Sequence, residues 1–224
     1  MTKIVVALDI EKNKAIEAIT KVSPFTDYFK IGHKLFTEYP QIIEFLNSSG
    51  KKFFLDLKYH DIPSVVKVAI EEVKRKYNPF AVTLHISGGE KMLKEANSIP
   101  ERPLLFGVTI LTSLSNDDLI MLGINSNLEQ QVKKMALIAK NCGLDGIVCS
   151  GQEVEMVKKT CGNKFLTLVP GLKITEEKQR YDQKRSVLLK EVKKFVDYAV
   201  FGRQITDSEN PESEIKKILE QLNE

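Results

Sequence analysis

Eight short runs rich in apolar and β-branched residues recur along this chain, at residues 4–8, 28–31, 53–57, 81–85, 104–110, 146–149, 165–169 and 198–201. Between them lie longer charged stretches whose apolar positions follow helical spacing, for example 64–77, 129–141, 152–160 and 212–222. A continuous apolar run needs cover on both faces, and a helix after each strand supplies it, so the pattern predicts repeated βα units and a parallel sheet. Eight such units are the number that closes into a (βα)8, or TIM, barrel. A doubly wound open sheet usually has fewer strands, and no GxGxxG follows the first run. The expected fold class is therefore α/β, a single (βα)8 barrel. At 224 residues and 42% hydrophobic content one core is possible, no Pro-, Gly- or Ser-rich linker divides the chain, and residues 1–224 read as one domain.

Charge narrows the partners. With 33 basic and 30 acidic side chains the net charge is +3, which gives no field of one sign for nucleic acid or a membrane surface. The expected partner is a small molecule bound locally. Cys142, Cys149 and Cys161 fit neither a disulfide framework nor a CxxC metal site and read as reduced thiols. The opening apolar run meets Asp9 too early for a signal peptide, and no stretch approaches the roughly 20 apolar residues of a membrane span. A cytoplasmic protein is expected.

Polar residues gather where the apolar runs stop: Asp9, Lys30, Asp56, Lys58, Asp61, His85, Thr112 and Arg203. In a barrel these strand ends share the catalytic rim. Asp56 and Lys58 are two residues apart, which puts both on one side of a strand with Cα atoms about 6 to 7 Å apart, within ion-pair reach. A structural salt bridge is the ordinary reading of such a pair. Burying charge is a poor source of stability, however, whereas two lysines and several carboxylates on one rim make a place where proton affinities are tuned. Asp61 reads equally as a cap for a helix with Pro63 in its first turn. His85 reads as a satisfied core histidine or a rim residue. Gly202-Arg203 follows the eighth run, where barrels often bind phosphate and glycine lets backbone N–H groups approach an anion. The polar stretch 171–185 after the seventh run belongs on the same face and is expected to close over a ligand. No Ser/His/Asp set, HxxxH pattern or Cys/His cluster points to covalent serine chemistry or a metal.

The segment Asp56-Leu-Lys58-Tyr-His-Asp61-Ile-Pro63 resembles the DxKxxD signature of the orotidine 5'-phosphate decarboxylase family in its bacterial form. The resemblance runs along the chain through Val6-Ala-Leu-Asp9, Phe29-Lys30-Ile-Gly32, Thr83-Leu-His85-Ile-Ser-Gly-Gly89, Val108-Thr-Ile-Leu-Thr112-Ser113, Pro170-Gly-Leu, Asp182-Gln183-Lys-Arg185 and Gly202-Arg203-Gln-Ile-Thr206. It implies decarboxylation of orotidine 5'-phosphate to uridine 5'-phosphate and CO2, the last step of de novo UMP synthesis, with no cofactor and no metal. It further implies that Lys58 donates the proton, Asp56 lies beside the departing carboxylate, Lys30 completes the charge array, and Asp61 is supplied across a homodimer interface. Asp9 and Lys30 would hold the ribose, Thr112 and Ser113 would lie near ribose and base, and Gln183, Gly202 and Arg203 would hold the phosphate. Two positions depart from the family pattern: Val65 stands where a threonine is common, and Lys173 where arginine is common, without arginine's planar fork. Magnesium-dependent keto-sugar-phosphate decarboxylases and hexulose-phosphate synthases share a similar strand and are the alternative enzymes. A phosphate-ligand-binding barrel without activity is the alternative of another class.

Overall fold

The structure is a computed structural model and describes residues 1–176 and 185–223. Its strands are β1 (Lys3–Ala7), β2 (Tyr28–Gly32), β3 (Lys52–Tyr59), β4 (Ala81–His85), β5 (Leu104–Val108), β6 (Gly146–Val148), β7 (Leu166–Val169), β8 (Leu172–Lys173), β9 (Val187–Leu188) and β10 (Tyr198–Phe201). Eight of them close into an all-parallel barrel in the order β1-β10-β7-β6-β5-β4-β3-β2, with helices between successive strands. The expected (βα)8 barrel is the fold found.

Strand parity sorts the apolar residues into two layers. Val5, Ala7, Phe54, Ala81, Phe106, Leu168, Tyr198 and Val200 fill the barrel interior. Their neighbours Ile4, Val6, Phe53, Leu55, Val82, Leu105 and Phe201 face outward into the larger core beneath the helices. Inside, the Phe54 ring meets Phe80 at 5.3 Å, Phe106 at 5.6 Å and Tyr198 at 5.1 Å, all edge-on. Each such ring contributes about 1.5 to 3 kcal/mol by burial, and edge-on pairs add to it. This aromatic plug occupies one end of the barrel, and a cavity lies at the other, at the C-terminal strand ends.

The run 104–110 yields a strand only to Val108; beyond it the Thr109 N–H and hydroxyl both donate to the Val148 carbonyl, at 3.3 and 2.8 Å. The stretch 171–185, read as a plain polar loop, begins at β8, and β8 pairs in parallel with β9 just beyond the stretch. The short helix Asn116–Met121 was also not anticipated, although Ser115 and Asp118 form a reciprocal capping box at its start. The helix Pro63–Tyr77 starts at the expected proline. Among the described residues, no helix is long and apolar enough to cross a membrane.

Candidate active site

A cavity of about 450 Å³ opens at the C-terminal ends of the barrel strands. Ala7, Val108, Val148, Leu168 and Val200, the last inward residues of their strands, form its apolar walls. Asp9, Lys30, Asp56, Lys58, Thr112, Gly202 and Arg203 line it as well. Lys30 and Asp56 point inward because they share parity with Tyr28 and Phe54, two residues earlier on β2 and β3.

The charged residues form a continuous line. Lys30 Nζ donates to Asp9 at 3.0 and 3.2 Å and lies 3.1 Å from Asp56 Oδ2. Lys58 Nζ donates to the same Asp56 oxygen at 2.9 Å. The signs therefore alternate along Asp9, Lys30, Asp56 and Lys58. Burial by itself pushes the Asp56 carboxyl up, but the Lys30 and Lys58 ammonium groups, with hydrogen bonds from Lys58 and Thr83, hold it well below the usual carboxylate range. Burial likewise acts to lower the Lys30 pKa, and the Asp56 and Asp9 carboxylates outweigh it, leaving the group raised. Asp56 is an anion and Lys30 a cation at neutral pH, each fixed by the other in a low-dielectric setting.

Lys58 reaches this line by a route that simple alternation does not describe. The register of β3 on β4 shifts between Leu55 and Tyr59, and Lys58 has φ +48°, a left-handed conformation uncommon for a residue with a side chain. The Lys58 N–H donates to the Thr83 hydroxyl at 3.0 Å, and that hydroxyl donates to Asp56 Oδ1 at 2.8 Å. Thr83 is fully buried and ties the bulge to the carboxylate it serves. A backbone strained by roughly 1 to 3 kcal/mol persists when its surroundings hold it this way.

Thr83 had no role in the sequence reading, although it shares inward parity with Ala81 on β4. Gly32 is a second such residue: a Cβ there would sit 2.4 Å from Asp9 Oδ1, so glycine is what lets the Asp9 carboxylate lie against Lys30.

Other expected residues lie elsewhere. Asp61 is exposed, does not line the cavity, and accepts from the Ile62 N–H at 2.7 Å, one residue short of an ordinary helix cap. Ser113 is exposed beside Thr112, off the wall. His85 lies outside the cavity with its ring 5.3 Å from that of His60. Burial, then the neighbouring His60 and Lys58, lowers its pKa against the opposing pull of Asp56. Val65 is exposed on the first turn of its helix, and Lys173 is a half-buried β8 residue that does not line the cavity. Gln183 and Asp182 lie outside the described residues. Cys142, Cys149 and Cys161 are free and buried. Cys149 forms part of the wall, and burial followed by the nearby Glu153 charge pushes its thiol up, which keeps it protonated and a poor nucleophile.

A closed (βα)8 barrel with a line of alternating carboxylates and ammonium groups at the C-terminal ends of its strands has the architecture of a barrel enzyme. A family model described as "Orotidine 5'-phosphate decarboxylase / HUMPS family" matches residues 2–218, and the chain belongs to that family. Among curated relatives, an "Orotidine 5'-phosphate decarboxylase" from Buchnera aphidicola is 37% identical over 99% of this chain and 96% of its own length. One of the same name from Baumannia cicadellinicola is 39% identical over 98% of this chain and 90% of its own. The crystal structure of orotidine 5'-phosphate decarboxylase from Lactobacillus acidophilus superposes with a TM-score of 0.83 at 29% identity, covering all of both chains.

Proposed function

We infer that this chain decarboxylates orotidine 5'-phosphate to uridine 5'-phosphate and CO2, the last step of de novo UMP synthesis, with residues 1–224 acting as one catalytic domain. The Asp9–Lys30–Asp56–Lys58 line carries the reading. Cleavage of the bond to the carboxyl carbon leaves its electron pair on a ring carbon with no adjacent sink, so the site must favour localised negative charge there. The Lys58 ammonium faces that carbon, gives it a proton, and is reprotonated from solvent. Asp56 lies beside the substrate carboxylate. Like charges about 4 Å apart at an effective dielectric near 20 repel by roughly 4 kcal/mol. Asp56 cannot relieve this by taking a proton, because Lys30 and Lys58 hold it ionised. The repulsion is absent once CO2 has left.

Asp9 and Lys30 hold the ribose, Thr112 and Ser113 lie near ribose and base, and Gly202, Arg203 and Gln183 hold the phosphate. Phosphate contacts remote from the reacting carbon supply binding energy that is used at the ring; residues 177–184 of the expected lid lie outside the described residues. No cofactor or metal is required: both carboxylates of the line already have ammonium partners at 3.0 to 3.1 Å, which suits charge stabilisation by the protein itself. The enzyme works as a homodimer in which Asp61 completes the partner's site. That reading is supported by an exposed Asp61 outside its own cavity, beside exposed Ile62, Val65 and Val68. The location is cytoplasmic, in keeping with three unpaired cysteines.

The test is the ultraviolet absorbance of orotidine 5'-phosphate mixed with the purified protein, with and without a metal chelator. Chelator-insensitive loss of the substrate band with uridine 5'-phosphate as product is the expected result. No turnover at high enzyme concentration, together with magnesium-dependent turnover of a keto-sugar phosphate, would replace this reading with that of the sugar-phosphate enzymes.

A further inference from the structure

The deepest ion pair in the described structure lies outside the catalytic line. Arg185 and Glu153 are 5% and 4% exposed, and Arg185 Nη1 donates to Glu153 Oε1 at 2.6 Å. A buried pair of this kind is a weak source of stability, and apolar residues of similar volume would often hold the loops as well. What arginine adds is a rigid planar fork with donors aimed in fixed directions. Here Nη2 donates to two backbone carbonyls, Ile110 at 2.8 Å and Leu111 at 3.1 Å. The Arg185 carbonyl in turn accepts from the buried Ser150 hydroxyl at 3.2 Å, and Glu153 Oε2 accepts from the Ser150 N–H at 3.1 Å.

Three loops meet at this one side chain. Ile110 and Leu111 follow β5, lead into Thr112, and line the cavity with it. Ser150 and Glu153 follow β6. Arg185 precedes β9, whose partner β8 begins at Leu172, and Gly171 and Leu172 form a further stretch of cavity wall after β7, the barrel neighbour of β10 with its Gly202 and Arg203. Gly151 lets these loops close up, since a Cβ there would already sit 3.2 Å from both Leu172 and Val187.

We propose that Arg185 is a positioning residue which, anchored by Glu153, sets the spacing between the base end of the cavity beyond β5 and the phosphate end beyond β7 and β10. The proposal rests on the assignment of those two ends given under the proposed function. A substrate that spans the cavity needs both ends at the right separation, whereas an ion held at one end does not. A displacement near 1 Å remote from the reacting atoms is enough to lower turnover by about 100-fold.

The experiment uses the full chain with Arg185→Lys, which keeps a charge opposite Glu153 but cannot hold both carbonyls in a fork, and with the double variant Arg185→Gln/Glu153→Gln, which leaves no unpaired buried charge. Either variant suffices if the other fails to fold. For each, thermal unfolding, kcat and KM for orotidine 5'-phosphate, and inhibition by inorganic phosphate and by uridine 5'-phosphate are measured. The expected result is a folded protein whose kcat/KM falls by roughly 10- to 100-fold, with weaker inhibition by uridine 5'-phosphate but unchanged inhibition by inorganic phosphate. Inhibition by both ligands weakening in equal proportion, or a lower melting temperature with KM and both inhibition constants unchanged, would overturn the proposal in favour of a structural role. Arg203→Ala serves as the separate control: if inhibition by inorganic phosphate survives that change intact, the phosphate end itself is wrongly assigned, and this result is distinct from any given by the Arg185 variants.

Discussion

Thr83→Val replaces a fully buried hydroxyl by a methyl group of nearly the same shape and removes two hydrogen bonds together, the 2.8 Å bond to Asp56 Oδ1 and the 3.0 Å bond from the Lys58 N–H. The first is charge-assisted, worth about 1.5 to 3 kcal/mol; the second, between neutral groups, is worth about 0.5 to 1.5 kcal/mol. Losing both would destabilise the fold by roughly 2 to 4.5 kcal/mol, and more if the Lys58 N–H is left without an acceptor. The functional effect follows from geometry. Lys58 sits at φ +48° in a bulge that Thr83 tethers, so without the tether its ammonium spreads over positions away from Asp56. If about 1.5 to 3 kcal/mol of this positioning is felt in the transition state, kcat/KM drops roughly 10- to 150-fold, mostly through kcat. Denaturant unfolding and steady-state decarboxylation read the two effects separately, and Thr83→Ser should recover most of both. The reasoning fails if Thr83→Val keeps kcat/KM within about twofold of the parent while its unfolding free energy falls by the stated amount, because Thr83 would then serve stability alone.

Lys58→Ala is expected to abolish turnover without loss of the cooperative unfolding transition, and near-normal turnover would remove Lys58 as proton donor. Gly32→Ala forces the exposed Asp9 carboxylate off Lys30, so KM should rise about tenfold with little change in melting temperature; a KM unchanged from the parent would detach Asp9 from substrate binding. The pH response of the array has a definite sign. Asp56 is held below its ordinary value of 3.8, so its contribution to stability is complete above about that pH and is lost as the pH falls further; Lys30 is raised above 10.5, so its contribution is complete below that value and is lost only as the pH rises beyond it. The stability difference between the parent and Asp56→Asn should accordingly stay flat from pH 5 to 9 and shrink below about pH 4; a difference that varied across the neutral range would contradict the ionised pair. Finally, equal amounts of inactive Lys58→Ala and inactive Asp61→Ala, dissociated and reassociated, should regain about a quarter of parental activity, since one site of each mixed dimer is intact. No recovery despite subunit exchange would place Asp61 outside the partner's site.

Much of this protein was legible in one dimension because barrel strands are local and repetitive. Eight apolar runs separated by helical stretches specify eight strands, and period-two alternation from Tyr28 to Lys30 and from Phe54 to Asp56 specifies which charged residues turn inward. The Asp56–Lys58 pair was likewise foreseen from spacing, and it forms, but through a bulge rather than through plain alternation. A bulge is decided by the neighbouring strand: what holds Lys58 is Thr83, 25 positions further along, and propensity at position 58 carries no trace of it. The same holds for Gly32, whose necessity comes from an Asp9 carboxylate in the loop after β1, and for Arg185, whose guanidinium meets carbonyls 74 and 75 positions away. Local pattern determines elements because it acts within a few residues. Close approach, strain and buried charge pairing act across loops of any length, so only closure of the barrel decides them.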